Sequence, residues 1–421
     1  MQLVQRGYCG PSRQRRSVER RALPPLVQNL AIACLSVLFT LALAEAAVRM
    51  AGFEPIYDIY SKPSLFWKHD PTLGWSHQLD VEGTFVGPRP WPVEFTAPVL
   101  TNSMGLRGPE IGSVPEGGWR VLVLGDSVVA GFEVPYERTF TALLEDDLSE
   151  RLGAPVQVIN AGVRGYGTDQ SYLYYRERGR DLDPDLVVLF HSGNDVRNNM
   201  TLHRMRRAFG KPAFVLQPDG ELELVNSPTP EYEVCSQIRM DVDASMVRSD
   251  GLASRATCAL QIALFDHSAL FSALSLRLRE NSDLLRGLYE LGSASNNALA
   301  LGQPIEEQAD YPARLTAAII RELAETAASQ DAGFILLGRE IDVDLIDPDG
   351  LRNAGVTPFA VAPSGPELRF DNDPHYNVDG HREAARRFAP LLAQRLRDIA
   401  LAREKRRPAV PQPNQLLAAS S

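Results

Sequence analysis

Four short polar segments carry the side chains that could do chemistry together. Ser127 follows the apolar run "VLVLG", and Asn160 opens the glycine loop "NAGVRGYGT". Asn194 lies in "HSGND", and His375 lies among acidic residues in "DNDPHYNVDGH". Nucleophilic acyl transfer requires a hydroxyl, a base, a group that orients the base, and N–H donors for an oxyanion. The four segments supply all of these groups.

Apolar runs before three of these segments predict the elements that position them. Strands are predicted at 121–124, at 156–160, within 185–195 and at 333–340. Helices are predicted at 139–152, from Thr168 as N-cap, across 315–327 and at 379–403. Strands that alternate with helices indicate a parallel sheet with helices on both faces. Ligands bind such a sheet beyond the carboxyl ends of its strands, which is where the polar segments lie.

These segments, in this order, resemble the SGNH/GDSL hydrolases. The resemblance is carried by Gly125-Asp126-Ser127, the glycine loop at 160–168, Gly193-Asn194-Asp195, and the Asp/His pair near the C-terminus. It covers residues 120–200 and 312–400. It implies an α/β fold, a three-layer αβα sandwich with a central parallel sheet of flavodoxin-like type. It also implies a serine esterase that cleaves carboxylic esters through an acyl-enzyme and needs no cofactor.

The resemblance also assigns roles to individual residues. Ser127 matches the nucleophile, His375 the base, and Asp373 the group that orients the base. The backbone N–H groups of Ser127 and Gly165 and the side-chain amide of Asn194 match the oxyanion hole. The remaining histidines form no cluster, and no spacing predicts a metal site.

The acid of the triad is where the chain departs from the family pattern. Many members place an aspartate three residues before the histidine, but position 372 is Asn372. Asp373 lies two residues before His375, a spacing also found in exported members, and Asp371 lies four before it. Alternate side chains of an extended segment point to the same side, so both aspartates share the parity of His375 and Asp373 is nearer. We therefore assign Asp373.

Other polar residues near these segments are expected to support the fold. Asp126 is predicted to accept N–H bonds from its own loop, and Asp195 to anchor its own turn. His381, at the start of the last predicted helix, is predicted to lie at the surface or behind the catalytic residues. His191 is placed at the rim of the site, with its role left open.

The first 49 residues predict export from the cytoplasm. Residues 1–21 carry six arginines against one acid, and residues 22–44 carry no charge. The apolar segment is long enough to span a bilayer if residues 24–29 lie in the interface. Clustered arginines stay in the cytoplasm and place the following chain outside it. We interpret 1–21 as a cytoplasmic leader and 22–49 as a transmembrane signal-anchor; the alternative is a signal peptide cleaved at 42–44, which would release a secreted protein.

The rest of the chain divides into a main domain and its attachments. Residues 51–119 predict an irregular or β-containing lead-in, and 120–403 the hydrolase domain. Residues 201–310 are too long for a structureless loop and predict an insertion or lid. Residues 408–421 predict a disordered tail. Cys235 and Cys258 could bridge in an oxidising compartment or remain two free buried thiols, and the sequence leaves both open.

Composition and location narrow the functions further. The formal net charge of −10 argues against nucleic acid as a partner. No Walker-type loop is present, which argues against a phosphoryl-handling protein. The leading expectation is a membrane-tethered esterase whose substrate is an acyl ester, for example on an envelope glycan or lipid. The alternatives are an O-acyltransferase with the same triad and a non-catalytic glycan-binding protein on this scaffold.

Overall fold

The computed structural model describes residues 24–56, 66–203, 208–236, 238–240, 246–248, 251–281 and 310–406. Its helices are α1 Pro25–Met50, α2 Ser127–Ala130, α3 Phe140–Leu152, α4 Thr168–Glu177, α5 Gly193–Asn199, α6 Leu252–His267, α7 Ala269–Asn281, α8 Tyr311–Ser329, α9 Glu340–Val343, α10 Pro348–Asn353 and α11 Val378–Arg406. Its strands are β1 Trp67–Asp70, β2 Gly74–His77, β3 Glu82–Gly87, β4 Phe95–Leu100, β5 Trp119–Gly125, β6 Val156–Gly162, β7 Leu186–His191, β8 Ala213–Leu216, β9 Leu222–Val225, β10 Ile238–Met240, β11 Met246–Arg248, β12 Gly333–Gly338 and β13 Pro358–Ala360.

Five parallel strands form the central sheet, in the order β13-β12-β7-β5-β6. Counted along the chain, these strands lie in the flavodoxin-like order 2-1-3-4-5. The connection from β6 to β7 passes back over β5, so the strand order reverses between β5 and β7, and the carboxyl ends of these two strands lie side by side at that point. This confirms the predicted α/β fold and its parallel sheet.

Helices cover both faces of the sheet because its middle strands are apolar on both sides. Along β5, Val121 and Val123 pack into the core formed with α3 and α11. The alternate residues Leu122 and Leu124 pack into the opposite core, formed with α4 and α8. Side chains of successive strand residues point to opposite faces, so a continuous apolar run fills both cores. The three predicted layers are confirmed.

Two details of the elements differ from the sequence prediction. The fifth strand, β13, was not predicted: it is three residues long and pairs only with the edge of β12 among the described strands. The N-cap of α4 is Gly167, which has an extended conformation, so Thr168 is the first residue of this helix and not its N-cap. A glycine is accepted at an N-cap because that position needs non-helical backbone angles.

The segment before β5 packs against the loop that follows β6. It forms two antiparallel hairpins, β1–β2 and β3–β4. Trp75 in β2 is fully buried, and its indole Nε1 donates to the carbonyl of Arg164 at 3.2 Å. The phenol of Tyr166 donates back to the carbonyl of Trp75 at 2.6 Å. These bonds fix the glycine loop in which a site residue was predicted.

The region from 201 to 310 is described in part. It contains the β8–β9 hairpin, the short β10–β11 pair, and the helices α6 and α7. Cys235 and Cys258 form a disulfide, with Cα atoms 5.7 Å apart, which settles the alternative that the sequence left open. Residues 282–309 of the predicted insertion lie outside the described residues, as do the basic leader at 1–21 and the tail at 408–421.

The helix α1 is long and apolar enough to cross a membrane by length and composition, and none of its residues is buried against the protein. A single-pass anchor and a signal sequence both have this form. At its C-terminal end, Glu45 accepts hydrogen bonds from the backbone N–H groups of Ala269 and Leu270, each at 2.9 Å. The start of α7 is thereby held against the end of α1.

Candidate active site

The end of β5 forces a sharp turn that presents Ser127. A Cβ atom on Gly125 would lie 2.5 Å from a methyl carbon of Val129 and 3.0 Å from the carbonyl oxygen of Phe190. Only glycine lets the chain pass between these groups. Asp126 then caps the single turn α2 by accepting the N–H of Val128 at 2.9 Å. The hydroxyl of Ser127, the first residue of α2, therefore lies at the carboxyl end of the sheet.

A hydrogen-bonded line joins the three residues predicted as a triad. The Nε2 atom of His375 lies 2.8 Å from Oγ of Ser127. On the other side of the ring, Nδ1 lies 2.5 Å from Oδ1 of Asp373. The same carboxylate oxygen accepts the backbone N–H of His375 at 2.9 Å, which closes a tight turn around Pro374. Asp371 is exposed, and the carboxylate that pairs with the imidazole in this segment is that of Asp373.

Charge around the imidazole favours its protonated form. Burial lowers the pKa of His375, but the carboxylates of Glu133 and Asp373 outweigh burial and raise the pKa above its ordinary value. Burial raises the pKa of Asp373, but His375 and the hydrogen bonds from it hold that pKa below its ordinary value. Asp373 is therefore ionised at neutral pH, and an imidazolium formed beside it is stabilised.

Glu133 is a neighbour of the base that the sequence analysis missed. Its side chain is fully buried, and Oε1 lies 3.4 Å from Nδ1 of His375. The same carboxylate forms an ion pair with Arg164, which stacks over the ring of Phe85. Donor atoms of Glu133, Asp373 and His375 lie within 4.8 Å of one another, and Arg164 already supplies this cluster with a cation. In the sequence, the position of Glu133 as a single acid inside the apolar stretch "GFEV" could have indicated a buried carboxylate.

Replacing Glu133 by glutamine is expected to move the acid limb of the kcat/KM profile to lower pH by about one unit. Catalysis needs the neutral imidazole, so activity falls as pH drops through the pKa of His375. The Glu133 carboxylate raises this pKa and the charge of Arg164 lowers it. Removing the carboxylate while Arg164 keeps its charge therefore lowers the pKa of His375. The profile is measured on a soluble ester below the melting temperature, because an unpaired buried arginine also lowers stability. Glu137→Gln, which removes an exposed carboxylate nearby, serves as control; an unchanged limb in Glu133→Gln would contradict the assignment.

The three predicted oxyanion donors lie in different elements: Ser127 begins α2, Gly165 lies in the loop after β6, and Asn194 lies in α5. Asn194 is in the first turn of α5, and its side-chain amide donates to Oδ2 of Asp126 at 3.1 Å. Asn194 and Ser127 line one cavity of about 120 Å³, together with His375. Gly165 follows β6, has a φ of 78° that favours glycine, and is not among the residues that line this cavity.

The remaining polar residues support the framework. Asp126 accepts loop N–H groups, as predicted, and also accepts the Ser192 hydroxyl at 3.1 Å. Asp195 accepts the N–H of Ser192 within its own turn, as predicted, and burial raises its pKa to about 6. His191 is completely buried and faces this carboxylate, with Nδ1 3.2 Å from it, and does not lie at the rim.

His381 does not lie at the surface, which removes one of its two predicted positions. It is 1% exposed, its ring stacks on Phe140, and its Nδ1 atom accepts the Phe140 N–H at 3.1 Å. Burial lowers the pKa of His381 to about 3. A neutral imidazole in this position joins the start of α11 to the start of α3, behind Gly131.

Comparison with known proteins places this arrangement in a family. The model of the GDSL-like Lipase/Acylhydrolase family matches residues 123–383. An arylesterase from Vibrio mimicus is 37% identical over 76 residues, which are 18% of this chain and 38% of that protein. The TesA crystal structure is 12% identical, with a TM-score of 0.33 over 65% of this chain and 97% of TesA. A catalytic mutant of the acetylxylan esterase Axe2 from Geobacillus stearothermophilus is 12% identical, with a TM-score of 0.32 over 68% and 96% of the two chains.

The family match begins within β5, just before the serine turn, and ends within α11, just after His375. It therefore includes every residue of the hydrogen-bonded line from Ser127 to Asp373. It also covers more than half of the 421 residues. This chain belongs to the GDSL-like lipase/acylhydrolase family.

Proposed function

We propose that this enzyme is a serine esterase that cleaves carboxylic esters through an acyl-enzyme on Ser127. The observation that carries the proposal is the line from Oγ of Ser127 through both nitrogens of His375 to Asp373. Such a line matches the requirements of a hydroxyl nucleophile, whose proton must leave as the oxygen attacks. Asp373 fixes the tautomer in which Nδ1 carries the proton and Nε2 faces the serine.

The reaction then follows in two halves. In the first, Nε2 of His375 takes the hydroxyl proton while Oγ of Ser127 attacks the ester carbonyl. The tetrahedral intermediate collapses when the imidazolium returns that proton to the leaving alcohol oxygen. In the second half, a water loses its proton to Nε2, attacks the acyl-enzyme and releases the acid. We propose the N–H groups of Ser127 and Gly165 and the amide of Asn194 as donors to the oxyanion, in the family's manner.

The size of the cavity supports a small acyl group. The cavity has a volume of about 120 Å³ and is lined by the nucleophile Ser127, the base His375 and the proposed donor Asn194. An acetyl group fits this space, whereas a long acyl chain needs room beyond it. We therefore propose O-acetyl esters as the preferred class, and an O-acyl group on an envelope glycan or lipid as the physiological form.

The function is tested by hydrolysis of 4-nitrophenyl acetate, butyrate and octanoate by the full chain in detergent. Acetate is expected to give the highest kcat/KM, and intact-mass spectrometry after rapid acid quench is expected to show an acetyl adduct on Ser127. Product analysis with added sugar alcohols separates hydrolysis from transfer, because both pass through the same acyl-enzyme. Absence of both turnover and adduct would contradict the proposal.

We also propose that α1 anchors the enzyme and that its catalytic domain lies outside the cytoplasm. The exposed apolar surface of α1 supports an anchor, and the arginines before it favour a cytoplasmic N-terminus. The Cys235–Cys258 disulfide supports an oxidising compartment for the rest of the chain. Arg49, at the end of α1, donates to the carbonyl of His267 at 2.9 Å and so ties the anchor to the end of α6.

A reporter enzyme that functions only outside the cytoplasm is expected to be active when it is fused after Gly52. The same reporter at the N-terminus is the matched control and is expected to be inactive. N-terminal sequencing of the membrane fraction should recover the original start of the chain. Cytoplasmic activity of the Gly52 fusion would refute export, and a start near Glu45 would replace the anchor by a cleaved signal peptide.

A further inference from the structure

Two arginines line the cavity beside Ser127, and only one of them is paired with a carboxylate in the described part of the chain. Arg339 binds Asp342 with two parallel hydrogen bonds, 2.5 Å from Nε to Oδ2 and 2.7 Å from Nη2 to Oδ1. The side chain of Arg369 makes no hydrogen bond and no ion pair with any residue that the structure describes, and its Nε atom is buried. One of the two cations in the cavity wall therefore keeps a buried N–H without an acceptor among the residues that the structure describes.

The carboxylate in the same wall does not satisfy Arg369. Asp126 uses its two oxygens to accept bonds from the Val128 N–H, the Ser192 hydroxyl and the Asn194 amide. Its charge acts on Arg339. A buried guanidinium nitrogen without an acceptor is costly, and a ligand that supplies an acceptor recovers that cost.

We propose that the ester substrate carries an anionic oxygen group, such as a carboxylate, that Arg369 binds beside the ester. This rests on the proposed esterase function, whose substrate class it narrows. Guanidinium is suited to this task because its planar fork of donors matches the two oxygens of a carboxylate. His375 and Tyr376 line the same cavity as Arg369, so an anion bound there lies next to the reacting ester.

The test compares esters that differ in charge, using the full chain in detergent. The neutral substrate is 4-nitrophenyl acetate; the anionic ones are mono-4-nitrophenyl succinate, charged on the acyl side, and 3-acetoxybenzoate, charged on the alcohol side. Wild-type enzyme is expected to prefer one anionic ester. Arg369→Gln is expected to lower the ratio of anionic to neutral kcat/KM about 10- to 100-fold, the usual value of a charge-assisted hydrogen bond.

Arg369→Lys keeps the charge without the fork and is expected to restore part of the ratio. Arg382→Gln is the matched control, since it removes an arginine that pairs with Asp379 on the exposed side of α11. A change in fold or stability moves turnover of both esters and leaves their ratio unchanged. An unchanged ratio in Arg369→Gln, or no preference for either anionic ester in the wild type, would overturn the proposal.

A binding measurement separates this proposal from the esterase function. In the Ser127→Ala background, calorimetry with intact 3-acetoxybenzoate and mono-4-nitrophenyl succinate is expected to show binding that weakens about 10-fold when Arg369→Gln is added. Arg369-dependent binding without turnover of any ester by the wild type would overturn the esterase function alone. If the wild type turns over esters but the anionic esters bind equally well with and without Arg369→Gln, the anion site alone would be overturned.

Discussion

Replacing Ser127 by alanine is expected to lower ester turnover by about 10⁶-fold, because the acyl-enzyme can no longer form. The same change should abolish covalent labelling by a fluorophosphonate probe. Oγ of Ser127 is the hydroxyl that lies 2.8 Å from Nε2 of His375. The measurement is the initial rate on 4-nitrophenyl acetate, with labelling followed by intact mass.

Ser364→Ala provides the matched control, since Ser364 is exposed on the surface of the same domain. It should keep both turnover and labelling. The hydroxyl of Ser127 points into a solvent-accessible cavity, so its removal leaves almost no void. Ser127→Ala is therefore expected to melt near the wild-type temperature. Turnover retained in Ser127→Ala would mean that another group carries the reaction.

The sheet could be predicted because its strands are buried on both sides. A strand such as β5 must be apolar at every position to fill two cores, and such a run stands out in the sequence. The strand β13 gives no such signal, since "PFA" is short, begins with a proline and is followed three residues later by Pro363. Its pairing depends on the edge of β12, which is contributed by a distant part of the chain.

The buried position of His381 did have a signal in the sequence. His381 precedes Ala385 by four residues and Phe388 by seven, a spacing that places all three on one face of a helix. Both of these residues are buried against the sheet. The helical period therefore outweighs the polarity of the imidazole, which is satisfied by one backbone N–H.

The surroundings of the base could not be read from spacing. Glu133 and Arg164 are 31 residues apart and meet only because the turn after α2 and the loop after β6 end at the same edge of the sheet. Arg369 reaches the Ser127 cavity from the opposite end of the chain. Local patterns predict elements and short-range turns, whereas contacts between loops depend on the packed positions of the elements that carry them.

Asp373→Asn is expected to lower kcat by roughly 10⁴-fold, since an amide no longer fixes the tautomer or stabilises the imidazolium. Asp371→Asn is the matched control in the same segment and should turn over ester at nearly the wild-type rate. Both variants lose one carboxylate, but only Asp373 contacts Nδ1 of His375. The reverse result, a large loss in Asp371→Asn and a small one in Asp373→Asn, would place the orienting acid two residues earlier.

The activity left in Asp373→Asn tests whether Glu133 acts as a second acceptor for the base. Its Oε1 atom lies 3.4 Å from Nδ1 of His375, longer than a hydrogen bond but close enough to shorten when Asp373 is neutralised. We expect the double variant Asp373→Asn/Glu133→Gln to fall to the level of Ser127→Ala, below Asp373→Asn alone. Effects of groups that act on one imidazole are not additive, so the difference between double and single variants measures the support that Glu133 gives. Equal rates in the two variants would restrict Glu133 to setting the pKa of the base.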